Sequence, residues 1–144
     1  MSDSMPPRRQ GLCAHQGGPP FISAAGENMG CLFCNIIQGK TPSIKVYEND
    51  AVYAFEDINP QAPVHVLVVH KTHTRTIEYL NDSNSRIMSD IFLAVKEIAR
   101  LKAIDGKGYR IIINNGPAAG QVIWHMHVHI LGGKDNLGPM LAQY

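Results

Sequence analysis

The sequence predicts an α+β domain in which a mostly antiparallel five-stranded sheet is accompanied by one long and one short helix. Short segments that are apolar or alternate between apolar and polar residues indicate the strands, and one longer segment repeats its apolar residues at helical spacing. Asn49-Asp50 joins two strand-like segments as a hairpin turn. A hairpin, followed by strands that turns or a helix connect, favours antiparallel pairing.

The first predicted elements are a short helix and a hairpin. The helix begins near Cys31, carries an apolar stripe and is closed by Gly39. Residues 44–48 alternate as a strand, and residues 51–55 form the strand paired with it. After a break at Pro60 and Pro63, residues 65–70 form a strand that is almost entirely apolar.

A long helix is predicted over residues 84–103, capped near Asp82-Ser83 and ended by Gly106. Residues 109–114 form the next strand, and a turn through Asn115-Gly116 leads to a final strand over residues 121–131. The buried stripe of the helix is expected to comprise Ile87, Ile91, Val95, Ile98 and Leu101.

Two regions are expected, a disordered extension over residues 1–29 and a folded domain over residues 30–144. The extension is rich in Gly, Pro, Ser and Ala and has no periodicity, so it cannot bury enough apolar surface to order itself. Cys13 and His15 lie within it and are read as incidental.

Composition excludes several classes of partner and site. The 144 residues carry a net charge of +1, and the 13 Lys and Arg are scattered, so neither nucleic acid nor a membrane is an expected partner. Three cysteines, an odd number, argue against a disulfide framework and favour a cytoplasmic setting, with the nucleus as an additional one. No organic cofactor is expected.

The most informative feature is a run of three alternating histidines, His125, His127 and His129. In a strand, residues two apart point to the same face, so the three imidazoles are expected to line one face, opposite an apolar face. His125 and His129 would lie ~13 Å apart along the strand, which implies different roles for the histidines. The apolar face is expected to comprise Val122, Trp124, Met126, Val128 and Ile130.

A second cluster begins at Cys31 and Cys34, which form a Cys-x-x-Cys pair. The spacing suits zinc or a thioredoxin-like redox pair, and two reduced cysteines that simply pack in the core are the third reading. Zinc would need two further ligands. The candidate ligands are His65, His70, His73 and the three alternating histidines, and one hypothesis is a site closed by His73 and His125.

The loop over residues 114–121 contains glycine and directly precedes the alternating histidines. Its backbone N–H groups could bind a phosphate, with Asn114 and Gln121 as further donors, although an ordinary turn is the alternative. Asp57 ends a strand, where its carboxylate could accept hydrogen bonds from ribose hydroxyls or cap the turn before Pro60.

Together these segments resemble the histidine triad superfamily. The pattern His-φ-His-φ-His-φ-φ, with φ apolar, matches residues 125–131, and residues 55–65 and 66–73 resemble the segments that precede it in the family. The resemblance extends over about residues 31–141, and the ending over residues 131–140 looks most like the nucleotide-binding, phosphoramidase branch.

The resemblance implies a catalytic role for each histidine. His127 would attack the α-phosphorus of a purine nucleoside phosphoramidate, such as an AMP–amine or GMP–amine, and form a nucleotidyl-histidine that water hydrolyses. His129 would bind the phosphate and assist protonation of the leaving amine. The carbonyl of His125 would orient the His127 ring.

The resemblance also implies binding residues, a metal and an assembly. Asn114 and Gln121 would contact phosphate, Asp57 the ribose, and His65 would complete the substrate site. A structural zinc and a homodimer are implied. The expected purine wall comprises Leu32, Phe33, Ile36, Phe55 and Ile58, and the expected zinc ligands are Cys31, Cys34, His73 and His125.

Two positions depart from the family pattern. Val122 stands where the family often has Ser or Thr, so a hydroxyl donor is missing and slow turnover is expected. His70 replaces a proline and is expected to be exposed and without function. The alternatives are therefore a nucleotide-binding or scaffold protein with little catalysis, and a dinucleoside polyphosphate hydrolase.

Overall fold

The computed structural model describes residues 30–141, which form an antiparallel five-stranded sheet with a helix against each face. The elements are α1 (Leu32–Ile37), β1 (Lys45–Glu48), β2 (Val52–Glu56), β3 (Val64–His70), α2 (Arg86–Leu101), β4 (Arg110–Ile112) and β5 (His127–Gly132). The strand order is β1-β2-β3-β5-β4, and each neighbouring pair is antiparallel. The predicted α+β class and antiparallel sheet are confirmed. The predicted extension over residues 1–29 lies outside the described residues.

Alternation along the strands divides the core into two layers. In β3, Val66 and Val68 face α2, whereas Leu67 and Val69 belong to a smaller cluster under α1. These side chains are at least nine-tenths buried, and such burial is the main favourable contribution to folding. The centre of the sheet is therefore covered on both faces, by α2 on one and by α1 on the other.

Helix α2 follows the predicted stripe except at its end, where Leu101 is exposed. The turn before it is held by Asn81, whose Oδ1 accepts from the backbone of Ser83 and Asn84, and not by a cap at Asp82-Ser83. The helix ends at Leu101, and the residue beyond it with a left-handed conformation is Ala103 (φ 58°) and not Gly106. Two contacts of Ile104 stabilise this end of the helix. Its backbone N–H donates to the Ala99 carbonyl, and the Ile104 side chain is buried in the core.

Strand β5 is shorter than predicted, because regular pairing begins only at His127. Before it, the backbone N–H of Met126 donates to the carbonyl of Thr74, which lies outside the sheet. Alternation therefore holds for Met126, Val128 and Ile130, which are buried against α2. It fails for Val122, which is 78% exposed, and Trp124 is half-buried and not part of that cluster, so the predicted apolar face was too long.

None of the described helices is long and apolar enough to span a bilayer.

Candidate functional site

His127 is the first residue of β5 and faces α1. Its ring lies edge-on to Phe33, with centroids 4.9 Å apart, and 5.2 Å from the ring of His129. Its Nδ1 lies 2.9 Å from the backbone carbonyl oxygen of His125, an acceptor, so Nδ1 carries the proton and donates. The lone pair of the neutral ring is therefore on Nε2. Burial lowers the pKa of His127, so the neutral, nucleophilic form predominates near neutral pH.

His125 lies just before β5 and is fully buried. Its Nε2 lies 2.8 Å from the carbonyl oxygen of His70, so Nε2–H donates and Nδ1 keeps its lone pair. That Nδ1 lies 3.5 Å from Sγ of both Cys31 and Cys34. His125 thus orients His127 through its carbonyl and faces two thiols with its ring.

Cys31, Cys34, His73 and His125 form a compact cluster. Their candidate ligand atoms all lie within 4.8 Å of one another, and His73 Nδ1 is 3.3 Å from Cys34 Sγ. Cys31 occupies the cap position of α1, where its sulfur accepts from the backbone N–H of Cys34. Hydrogen bonding with the Cys34 side chain, aided by His125 and His73 and opposed by burial, lowers the pKa of Cys31 well below its usual range. Two sulfur and two imidazole donors fit a tetrahedral ion, so the cluster could hold a metal.

His65 connects β3 to His129 across neighbouring strands. The pairing of Leu67 with His129 sets the register, and His65 Nε2 lies 3.0 Å from His129 Nδ1 and 3.3 Å from Asp57 Oδ2. The backbone N–H of Gln61 donates to Nδ1 of His65 at 3.0 Å. The proton of a neutral His65 ring is consequently on Nε2, which donates to His129 Nδ1 and to Asp57.

This hydrogen bond determines which nitrogen of His129 is free to donate. Because Nδ1 of His129 accepts from His65, the proton of the neutral His129 ring is on Nε2. Burial, followed by the charges of His127 and His65, lowers the pKa of His129 to about 4. His129 is therefore a neutral hydrogen-bond donor at neutral pH.

Asp57, His65 and His129 also lie close enough together to be considered as a metal site. Binding an ion through Nε2 of His65 would require that nitrogen to lose its proton, while Nδ1 already accepts from Gln61. The tautomer therefore favours a hydrogen-bonded group over an ion. Asp57 also accepts from the backbone N–H of Asn59 through Oδ1, which is the predicted turn cap.

The loop before β5 is braced by Gln121. Its Oε1 accepts from the backbone N–H of Gly116, and its Nε2 donates to the carbonyls of Arg75 and Ile123. The Gln121 side chain is buried, and both its amide oxygen and its amide nitrogen have partners within the protein. The expected contact of Gln121 with phosphate stays a prediction. Strand β4 pairs with β5 as far as Ile112, opposite His129, and Asn114 follows two residues after the end of β4.

Three of the five expected purine-wall residues lie together between α1 and the sheet. Phe33, Ile36 and Phe55 belong to one buried cluster, with Phe33 and Phe55 in edge contact at 5.6 Å. Leu32 and Ile58 are outside that cluster and exposed, Ile58 by 90%. These two are the residues of the set whose apolar surface is available to a ligand without a change of packing.

A cavity of about 380 Å³ adjoins the Cys–His cluster on its solvent side. Its wall includes Cys31, His73, Arg75 and Trp124, and the Arg75 guanidinium carbon lies 5.3 Å from the centre of the Trp124 ring. Neither His127 nor His129 lines it. The cavity is thus a neighbour of the cluster and separate from the face of His127.

His70 corrects an expectation. It was expected to be exposed, but it is 8% exposed, and its Nε2 lies 2.9 Å from Asp90 Oδ2 on α2. The sequence carried one signal of this contact: a polar residue ends an apolar strand, and Asp90 borders the buried helical stripe at Ile91. Sequence spacing could not pair the two residues, because they come from separate elements.

The sequence and the fold of this chain are similar to those of known proteins. The HIT domain profile matches residues 38–136. The purine nucleoside phosphoramidase of Escherichia coli K12 is 38% identical over 111 residues, which are 77% of this chain and 92% of that protein. The adenosine 5′-monophosphoramidase of Candida albicans is 38% identical over 76% of this chain and 74% of that protein. A HIT family hydrolase from Clostridium thermocellum has a TM-score of 0.74 and 46% identity, covering 78% of this chain and 97% of that one.

The environment of His129 predicts an unusual titration. Nuclear magnetic resonance of its ring should give a midpoint near pH 4, because burial and neighbouring imidazoles disfavour its charged form. Since the folded-state pKa lies below the unfolded value near 6.5, the stability that His129 contributes is complete above pH 6.5 and is lost progressively between pH 6.5 and 4. A midpoint at or above pH 6.5 would contradict the burial argument.

Proposed function

The chain belongs to the HIT domain family, and on this basis we propose that it hydrolyses purine nucleoside 5′-phosphoramidates of the AMP–amine type. The observation that carries the proposal is the hydrogen bond from His127 Nδ1–H to the His125 carbonyl, which leaves the Nε2 lone pair for attack. Two relatives are named as phosphoramidases, which supports this substrate class.

In the first step, Nε2 of His127 forms a bond to the α-phosphorus and the phosphorus–nitrogen bond breaks. The electron pair of that bond leaves on the amine, which takes up a proton supplied in net from solvent. The His125 carbonyl stabilises the positive charge that the His127 ring acquires. Nε2–H of His129 donates to the phosphate or to the leaving nitrogen, since its Nδ1 is occupied by His65.

In the second step, water attacks the phosphorus, the bond to His127 breaks, and the nucleotide leaves with the oxygen of that water. The lone pair returns to Nε2, and the site is ready for another substrate. We assign Asn114 to the phosphate and Asp57 to the ribose. The purine would lie against the apolar surface of Leu32 and Ile58. A buried layer behind that surface comprises Phe33, Ile36 and Phe55. His65 acts through His129.

Replacing the proposed nucleophile should abolish turnover. We expect His127→Ala to lower kcat on an AMP–amine conjugate by about 10³-fold or more, because no other group can form the covalent intermediate. Acid-quenched wild-type enzyme should carry a covalent AMP detectable by mass spectrometry, and His127→Ala should not. Lys107→Ala, on an exposed side chain, serves as the control. Equal rates for wild type and His127→Ala would refute the assignment.

Val122 supports a second candidate, a nucleotide-binding protein with little catalysis. Its exposed side chain stands where the family often has a hydroxyl, and it cannot donate to phosphate. Tight purine nucleotide binding without turnover, with turnover restored in Val122→Ser, would favour this candidate. The third hypothesis, a dinucleoside polyphosphate hydrolase, is tested by offering such a compound in the same assay. If it is cleaved faster than the AMP–amine conjugate, the dinucleoside polyphosphate is the better substrate and the proposed substrate class is wrong.

We propose that Cys31, Cys34, His73 and His125 hold a structural zinc ion. Four donors from the protein leave no open position for a reacting group, and their atoms lie close enough to share one ion. The ion would join α1 to the segment around His73 and to the start of β5. Phe33 on α1 would thereby be held against His127.

Removing the thiols should release the metal and destabilise the fold. Elemental analysis should find about one zinc per wild-type chain and none in the double variant Cys31→Ala/Cys34→Ala, whose melting temperature should fall. Cys13→Ala, outside the described residues, is the matched control and should change neither quantity. Unchanged metal content and melting temperature in the double variant would exclude the zinc site.

We also propose a homodimer. Phe92 and Leu93 on α2, and Ile111 on the edge strand β4, expose apolar surface that a second copy could cover. Leu93→Glu should lower the mass measured by light scattering, whereas Lys40→Glu, exposed and just after α1 on the other side of the sheet, should not. A monomeric wild type would exclude the dimer. Cys31 and Cys34 are reduced and in no disulfide, which supports a cytoplasmic or nuclear setting, and imaging of the tagged chain would test it.

A further inference from the structure

His70 and Asp90 form a largely buried contact between the end of β3 and the first half of α2. The His70 side chain is 10% exposed and the Asp90 side chain 20%, and Nε2 lies 2.9 Å from Oδ2. The backbone N–H of Thr72 donates to Nδ1 of the same ring at 3.0 Å, so the proton of the neutral ring is on Nε2 and points to Asp90. Both ring nitrogens are therefore used, and the ring cannot turn without losing two hydrogen bonds.

The same residue contacts the site through its backbone. The His70 carbonyl accepts from Nε2–H of His125 at 2.8 Å, which presents Nδ1 of His125 to the two thiols. The His125 carbonyl in turn accepts from Nδ1–H of His127 at 2.9 Å. Three hydrogen bonds, connected through the covalent structure of His70 and His125, therefore link Asp90 on α2 to His127.

We propose that the His70–Asp90 pair is a positioning device that anchors the segment carrying His73 to α2 and thereby orients His125 and, through it, His127. The segment needs such an anchor because it leaves the sheet directly after His70. Its backbone is also attached elsewhere, by bonds from Lys71 N–H to the Ala51 carbonyl, from Met126 N–H to the Thr74 carbonyl and from Gln121 Nε2 to the Arg75 carbonyl. The Lys71 N–H lies in the same peptide plane as the His70 carbonyl and sets the direction of that plane from the backbone. The bond between His70 and Asp90 adds a side-chain restraint on the same residue from α2.

The pair touches neither the proposed substrate nor the thiols, so it acts through other residues. An error in the direction of the His70 carbonyl would rotate the His125 ring, which alters the proposed metal site and the carbonyl that aligns His127. Partners that orient a metal-binding histidine typically change metal affinity or activity by about 10- to 100-fold when they are removed. The proposal rests on the proposed function for its kinetic consequence, but the orientation of the rings can be measured independently.

The first experiment compares three variants of the full chain. Asp90→Ala removes the acceptor, Asp90→Asn keeps an acceptor oxygen, and Arg86→Ala removes the other, exposed partner of Asp90, 3.4 Å from Oδ1. We expect Asp90→Ala to weaken zinc affinity, measured by competition with a chromogenic chelator, and to lower kcat, each by about 10-fold with KM little changed. Asp90→Asn should recover most of both quantities, and Arg86→Ala should resemble wild type.

A merely structural pair would give a different result. Asp90→Ala would then lower the melting temperature while the folded protein kept wild-type zinc affinity and kcat, and this outcome overturns the proposal. Equal effects of Arg86→Ala and Asp90→Ala would also overturn it, because they would point to the charge of Asp90 and not to its bond with His70.

The second experiment observes the imidazole rings directly. Long-range ¹H–¹⁵N spectra of histidine-labelled wild type should show His70 protonated at Nε2 and His127 protonated at Nδ1. In Asp90→Ala the His125 and His127 signals should shift, and in Arg86→Ala they should not. Unchanged His127 signals in Asp90→Ala would refute the coupling. These spectra test the inference independently of catalysis. If the wild type cleaved no phosphoramidate, only the proposed function would be refuted.

Discussion

The arrangement depends on one hydrogen bond, from Nδ1–H of His127 to the carbonyl oxygen of His125. A carbonyl can only accept, so this bond determines the tautomer of His127 and the direction of its lone pair. It exists because the chain leaves regular pairing just before His127, which turns the His125 carbonyl toward the ring of its second neighbour. The proposed reaction needs a nucleophile with a free lone pair, and this bond leaves the lone pair of the neutral His127 ring on Nε2.

Burial of so many imidazoles requires a partner for each ring, because an unpaired polar group in the core is costly. His125 uses the His70 carbonyl and the thiols, His65 uses the Gln61 backbone and His129, and His70 uses Asp90 and the Thr72 backbone. Backbone groups provide one partner in every case. Backbone positions are set by the whole fold, so the rings keep their tautomers only while β3 and β5 and the preceding loop stay in place.

Sequence patterns predicted the fold class well because strand alternation and the helical stripe are local properties. The stripe from Ile87 to Ile98 and the alternation at Met126, Val128 and Ile130 lie where the spacing placed them. The errors concern ends and exposure, at Val122, Leu101 and His70. Two of them accompany contacts with distant segments, Thr74 with Met126 before β5 and Asp90 with His70, which no local pattern encodes.

By itself, the sequence determined the class of the fold, the alternation that puts His127 and His129 on one face, and the residue types of the Cys–His cluster. Only the tertiary structure decided which nitrogen of each ring carries its proton, that Gln121 braces the loop, and that His70 is buried against α2. The physical reason is that spacing specifies the face a side chain occupies. A tautomer is specified by the donor or acceptor opposite each nitrogen, and those groups come from segments far away along the chain.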